Sequence, residues 1–194
     1  MENVIRDEFR KSQALLQAMA ADKALEAQVL RVVALCTGAL SRKKKLLIAG
    51  NGGSAADAQH WAGELVSRFH FDRPGLPAIA LTTDTSIITA CGNDYGYDYV
   101  FARQVEALAL EGDVLLVLST SGNSKNILRA IMAARELKVA VVGFTGQGGG
   151  AMAEECDECF RVPSNETPKI QEGHEFLGHL ICGLIEQEMF GARP

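Results

Sequence analysis

His60 and Glu64 stand four residues apart, so a helix carrying them presents both on one face, and Asp57 shares that face three residues earlier. Near the other end of the chain, Gln171, Glu172, His174, Glu175 and His179 crowd into a second short stretch. Imidazole and carboxylate together suit a zinc ion, and the same groups move protons near neutral pH. Taken alone, a His/Glu pair at this spacing is an ordinary surface pair; it gains meaning only beside a ligand site.

Two loops offer that site. Ser119-Thr120-Ser121-Gly122-Asn123-Ser124 carries four hydroxyls in six residues, between an apparent strand and an apparent helix. A helix cap needs one hydroxyl. Four of them beside the free N–H groups of a helix N-terminus suit a phosphate dianion. Gly50-Asn51-Gly52-Gly53-Ser54-Ala55 also joins a strand to a helix and formally matches the dinucleotide fingerprint G-x-G-x-x-A. The acid that fingerprint requires about 20 residues on is missing, the first one past the second strand being Asp84, roughly 34 residues after Gly50. These glycines are read instead as letting the backbone approach a small ligand closely.

The elements that must position these groups follow from hydrophobic spacing. Residues 1 to about 40 read as two helices, with Val4, Ile5, Phe9, Leu15, Leu16 and Met19 at helical spacing, then Leu25, Val29, Leu30, Val33 and Cys36. Short apolar runs follow: Leu46 to Ala49, Ala78 to Leu81, Val114 to Leu118, Val139 to Phe144 and Phe160 to Val162. Between and after them, helices are expected over residues 55–69, 85–91, 100–110, 125–137, 150–156 and 169–190. Alternation of this kind implies an α/β fold, an open parallel sheet with helices on both faces. Ligands then sit beyond the carboxyl ends of the strands, where the polar loops 50–54, 82–84, 119–124 and 146–150 fall.

Composition narrows the remaining classes. The 194 residues suggest one domain, and a net charge of −5 offers no nucleic-acid or membrane-surface patch. The one basic run, Arg42-Lys43-Lys44-Lys45, is expected to be a solvated turn. No signal-peptide pattern opens the chain, and no apolar run approaches the roughly 18 residues of a membrane span. Five cysteines without an export signal argue for free thiols in a reducing, cytoplasmic setting. Cys156-Asp-Glu-Cys159 is formally a C-x-x-C, open to a redox or zinc reading. No second pair completes a four-cysteine site, and Cys159 runs into a strand, so packing is the expected role.

The stretches GNGGSAADAQHWAGEL, RPGLPAIALTTDTS, GNDYGY, STSGNSKNI and TPKIQEGHEFLGH together resemble the phosphoheptose isomerases of the sugar isomerase (SIS) fold, over nearly the whole chain. The serine loop is common among phosphosugar-binding proteins of that fold. The pairing of D-A-Q-H-x-x-x-E with Q-E-x-H-x-x-x-x-H is more specific. The resemblance implies a three-layer αβα sandwich with a five-stranded parallel sheet, preceded by a helical pair used for oligomerisation. It implies one zinc per subunit on His60, Glu64, Gln171 and His179, and substrate contacts from Asn51, Gly52, Gly53, Asn93, Asp94, Ser119, Thr120, Ser121 and Ser124. Glu64 and Gln171 would touch both metal and sugar, and Glu64 and His179 would be the acid–base pair. His174 is a neighbour rather than a ligand, and His70 a loop residue. The implied reaction converts sedoheptulose 7-phosphate to D-glycero-D-manno-heptose 7-phosphate through an enediol. The alternative is a non-catalytic SIS module that binds a phosphosugar to regulate or to act as an adaptor. Such a module need not keep the acid–base residues.

Assembly enters through geometry. Gln171 and His179 on one straight helix would be about 12 Å apart along the axis and about 80° apart around it, too far for easy joint ligation. Either the helix starts after Gln171, or the ligands come from different copies of the chain. The resemblance implies a homotetramer with active sites at subunit interfaces, and the last helix is expected to complete a neighbour's site.

Overall fold

Leu46–Gly50 (β1) and Val114–Leu118 (β3) are buried at every position, as strands covered by helices on both faces must be. Their side chains alternate between two separate cores. Leu46 and Ile48 join Leu116, Trp61, Leu177 and Ile181 on one face, while Leu47 and Ala49 join Leu115, Val117, Ile127 and Ile131 on the other. The computed structural model describes residues 1–191. It completes the sheet with Ala78–Ala80 (β2), Ala140–Gly146 (β4) and Glu158–Val162 (β5), all parallel, in the order β2-β1-β3-β4-β5. Helices Glu2–Ala21 (α1), Lys23–Ser41 (α2), Gly53–Val66 (α3) and Thr167–Phe190 (α8) pack on the first face. Thr85–Asp94 (α4), Ala102–Leu108 (α5), Lys125–Glu136 (α6) and Met152–Glu155 (α7) pack on the second. This is the three-layer α/β sandwich expected. The strand order reverses direction between β1 and β3, and the crevice outside their carboxyl ends is the ligand position of such sheets.

Several boundaries differ from the sequence reading. β4 runs two residues further because Thr145 and Gly146 pair with Arg161 and Val162. α4 continues through Asp94, making Asn93 and Asp94 helical. Lys45 is not part of a solvated turn: its ammonium pairs with Asp113, whose side chain is 1% exposed, at the entry to β1 and β3. α2 has the length (19 residues) and mean hydropathy (1.3) of a spanning helix, contrary to expectation. Here it is a layer of the sandwich, with Val29, Val32, Val33 and Cys36 in the core and Arg31 and Gln28 bonded to Glu158 of β5.

α3 stops at Val66 because the chain is drawn off to α8. Buried Glu186 accepts hydrogen bonds from the backbone N–H groups of Phe69 and His70 and from Arg73 Nε. Burial works against that carboxylate, but these donors outweigh it and hold its pKa below the usual range. Arg73 also donates to the carbonyls of Glu64 and Leu65, closing the last turn of α3.

α3 and α8 cross closely at Gly178. A Cβ at that position would stand 1.9 Å from Cε2 of Trp61, a side chain only 1% exposed. Gly178→Ala should therefore destabilise the fold by about 1–3 kcal/mol in urea unfolding, as overpacking does. Gly63→Ala makes the comparison, since a Cβ there meets open space. It should be neutral, or stabilising by up to about 1 kcal/mol through helix propensity. Equal effects at the two glycines would show that the crossing does not depend on Gly178.

Candidate active site

α3 leaves the glycine loop at Gly53 and turns one face to α8, where His60 and Glu64 lie one turn apart. α8 answers with Glu175 and His179 at the same spacing. The Nε2 atoms of His60 and His179 are 2.9 Å apart. Glu64 Oε1 lies 3.1 Å from the first and 3.4 Å from the second. Glu175 Oε1 is 3.3 Å from both, and its other oxygen is held by Trp61 Nε1–H at 3.0 Å. Two ring nitrogens this close are both acceptors unless a proton or a cation lies between them. The ligand atoms of His60, Glu64 and His179 all fall within 4.8 Å of one another. Two imidazoles and a carboxylate form a donor set that fits zinc. Glu64 Oε2 is buried without a hydrogen-bond partner. Burial raises the pKa of Glu64, opposed by the neighbouring His179 and His60.

Of the two readings offered for Gln171 and His179, the one in which the helix starts after Gln171 is corrected. α8 begins at Thr167, so Gln171 and His179 do share one helix. His179 nevertheless reaches Glu64 within a single chain, because the crossing at Gly178 brings its Cα close to α3. Gln171 stands two turns earlier, where its Nε2 donates to Asp57 Oδ1 at 3.0 Å and its amide packs on Gly53. That bond leaves Oε1 free, turned by its partner as a second-shell acceptor would turn a ligand.

The loop Ser119 to Ser124 lies across the crevice. Ser119 Oγ and Ser124 Oγ bond to one another at 2.9 Å, so the N-cap residue of α6 makes no side-chain cap and the first N–H groups of the helix remain available. Ser121 Oγ accepts from Asn123 N. Gly122 has φ +66°, and a Cβ there would stand 2.0 Å from the carbonyl oxygen of Gly149, so no other residue fits the turn. The two loops are tied together by a reciprocal amide pair, Asn51 Nδ2 to Asn126 Oδ1 at 2.9 Å and Asn126 Nδ2 to Asn51 Oδ1 at 2.8 Å.

The other sequence candidates fall at the edges. Asn93 and Asp94 are exposed at the end of α4, bonded to each other; it is Tyr97, just beyond, whose hydroxyl donates to Asn51. His174 is fully buried, shares a hydrogen bond with Thr145 O, and burial pushes its pKa down to about 4, so it stays neutral. Glu172 bonds to Lys169 and Ser12 rather than to the site. His70 belongs to the loop anchored on Glu186, and its neighbour Phe69 stacks on His179 with ring centroids 5.8 Å apart. Glu175, Phe69 and Asn126 were missed as site residues. The His60/Glu64 spacing repeated as Glu175/His179 was the available signal for the first. The other two depend on tertiary contacts.

Asp57 supplies a test by pH. Burial raises its pKa to about 6, while the bond from Gln171 pulls the other way, and its Oδ2 has no partner. The folded chain thus holds this proton more tightly than the unfolded one, and stability falls as pH rises from about 4 to about 6. Asp57→Asn keeps an oxygen for Gln171 and removes the buried charge. Without added metal it should be about 1–3 kcal/mol more stable than wild type above pH 6, with the difference vanishing below about pH 4. Urea unfolding across this range checks it; a variant less stable at pH 8 would show that the charge is compensated in the fold.

Comparison with known proteins gives the family. The family model of the SIS domain matches residues 9–146. The chain is 58% identical over 187 residues to a phosphoheptose isomerase of Burkholderia pseudomallei (strain K96243), covering 96% of this chain and 95% of the relative. The solved structure of a phosphoheptose isomerase from Francisella tularensis superposes with a TM-score of 0.91 at 40% identity, over 95% of this chain and 97% of that one. That of Neisseria gonorrhoeae gives 0.90 at 41% identity, over 96% and 98%. The chain therefore belongs to the SIS domain family and, within it, to the phosphoheptose isomerases, which are enzymes.

Proposed function

We propose that this isomerase interconverts sedoheptulose 7-phosphate and D-glycero-D-manno-heptose 7-phosphate, with zinc on His60, Glu64, Gln171 and His179. The observation that carries the reading is the approach of His179 of α8 to His60 and Glu64 of α3, the helix that grows out of the glycine loop. His60 is seven residues into α3, about 10 Å from its start, a distance of the order of a seven-carbon sugar phosphate. The phosphate would rest on Ser119, Thr120, Ser121, Ser124 and the N-terminus of α6. Asn51, Gly52 and Gly53, with Asn93 and Asp94, would line the path of the sugar.

In this mechanism a proton leaves C1 of the ketose and another is delivered at C2. Glu64 and His179 are the two groups that take and return them. Burial of Glu64 raises its affinity for a proton toward the range in which a carboxylate serves as a general base. Asp57 holds the amide of Gln171, Trp61 holds Glu175, and Phe69 shields one side of the His179 ring. Zinc, when bound, supplies a Lewis acid for the charge that develops on the C1 and C2 oxygens. The product would feed lipopolysaccharide or capsular heptose synthesis in the cytoplasm. A homotetramer is also proposed, supported by α1, whose Val4, Ile5 and Phe9 are 58–74% exposed in the single chain and invite a partner helix.

Incubation with sedoheptulose 7-phosphate should release an aldoheptose phosphate. Glu64→Gln, which keeps a ligand oxygen and loses the base, should lower turnover by about 10²-fold or more with KM little changed. Near wild-type turnover at equal zinc content would remove Glu64 from the proton transfer. Loss of one charge-assisted hydrogen bond to phosphate costs about 1.5–3 kcal/mol, so Ser121→Ala and Ser124→Ala should each raise KM by about ten-fold or more. Unchanged kinetics in both variants would reject the serine loop as the phosphate site.

A further inference from the structure

We propose that Cys156 and Cys159 form a redox-active dithiol, closed to a disulfide by exchange with a low-molecular-weight disulfide such as oxidised glutathione, and that closure weakens phosphate binding at the Ser119–Ser124 turn. Cys156 ends α7, and Cys159 lies in β5 opposite Gly143 of β4. A Cβ on Gly143 would stand 2.8 Å from Cys156 Sγ and 3.1 Å from Cys159 Sγ, so both sulfurs converge on the space that this glycine leaves. Both are half-buried, whereas Cys36 and Cys182 are buried. Arg161 stands two residues beyond Cys159 on the same face of β5, and its positive charge lowers the pKa of the Cys159 thiol. That neighbouring charge favours a thiolate at Cys159, which is the nucleophile of the proposal.

The exchange balances without any other reagent. Cys159 thiolate attacks one sulfur of the small disulfide, forming a mixed disulfide and releasing one thiolate. Cys156 then gives its proton to solvent and attacks Cys159 Sγ, and the second small thiolate leaves. The protein loses two protons and two electrons, and the small disulfide is reduced to two thiols.

The link to phosphate rests on the serine-loop reading above. α7 hangs between the cysteines and that loop. At one end, Met152 N donates to Gly122 O and Ala151 N to Asn123 Oδ1, each at 3.0 Å; at the other is Cys156. Arg161 lies against Gly149, whose carbonyl packs on Gly122. Drawing Cys156 onto Cys159 pulls on a four-residue helix whose far end holds the turn.

The reduced protein is incubated with oxidised glutathione, alkylated in denaturant and digested. Cys156 and Cys159 should be recovered joined to one another, with the remaining cysteines alkylated. Cys156→Ser, which lacks the resolving thiol, should retain glutathione on Cys159. By calorimetry, the oxidised protein should bind inorganic phosphate about three-fold or more weakly than the reduced one, the scale of one hydrogen bond. Dithiothreitol should restore the affinity, and the double variant Cys156→Ser/Cys159→Ser should ignore the oxidant. Recovery of both cysteines alkylated after oxidation overturns the dithiol. A disulfide with unchanged phosphate affinity overturns its coupling to the turn. If the reduced protein binds no phosphate, the serine-loop reading fails, while the peptide map still decides the dithiol.

Discussion

The close crossing of α3 and α8 is the constraint on which the site depends. A helix pair separated by ordinary side chains packs at about 8–10 Å between axes. Here Gly178 lets the indole of Trp61 occupy the place of a side chain. The same indole fixes Glu175 through its N–H, so one aromatic ring sets both the spacing of the helices and the direction of a carboxylate. Two His/carboxylate pairs, one on each helix, then meet across the gap. The cluster is a by-product of packing as much as of polar attraction, since the groups lie on the rim of an apolar contact.

The sheet supplies the second constraint. Its reversal between β1 and β3 opens a crevice bounded by the glycine loop on one side and the serine loop on the other. The Asn51–Asn126 pair locks those loops to each other, so the N-terminus of α6 is in register with α3. The strands are fixed at the opposite end by the Lys45–Asp113 ion pair, where Asp113 also accepts from the backbone of Lys45 and Leu110. The serine loop and the His60/Glu64 face two turns along the neighbouring helix thus belong to one rigid frame. The exception is the loop after α3, which carries Phe69 to the ring of His179 and is fastened by Glu186 and Arg73 alone among buried charges.

Much of this was legible in the chain itself. The apolar runs, with polar loops after each, determined an α/β sheet with its ligand loops at one edge, because strand burial on both faces demands uninterrupted apolar residues. The four hydroxyls of Ser119 to Ser124 and the His60/Glu64 spacing could be read there as candidates, because both are properties of local sequence. Helix periodicity also placed Gln171 and His179 on one helix, and it exposed the difficulty of their sharing a site.

Only the tertiary structure decided which groups meet. The crossing at Gly178 brings His179 to Glu64 within one chain, and a glycine in a helical stretch does not announce which aromatic ring will fill its place. Glu175 and Phe69 joined the cluster, and His174 lies buried beside it, for the same reason: their places are set by the neighbours that α3, α8 and β4 bring to them. Local sequence fixes which groups are present and on which face they stand, whereas the distances at which they meet come from packing between elements far apart in the chain.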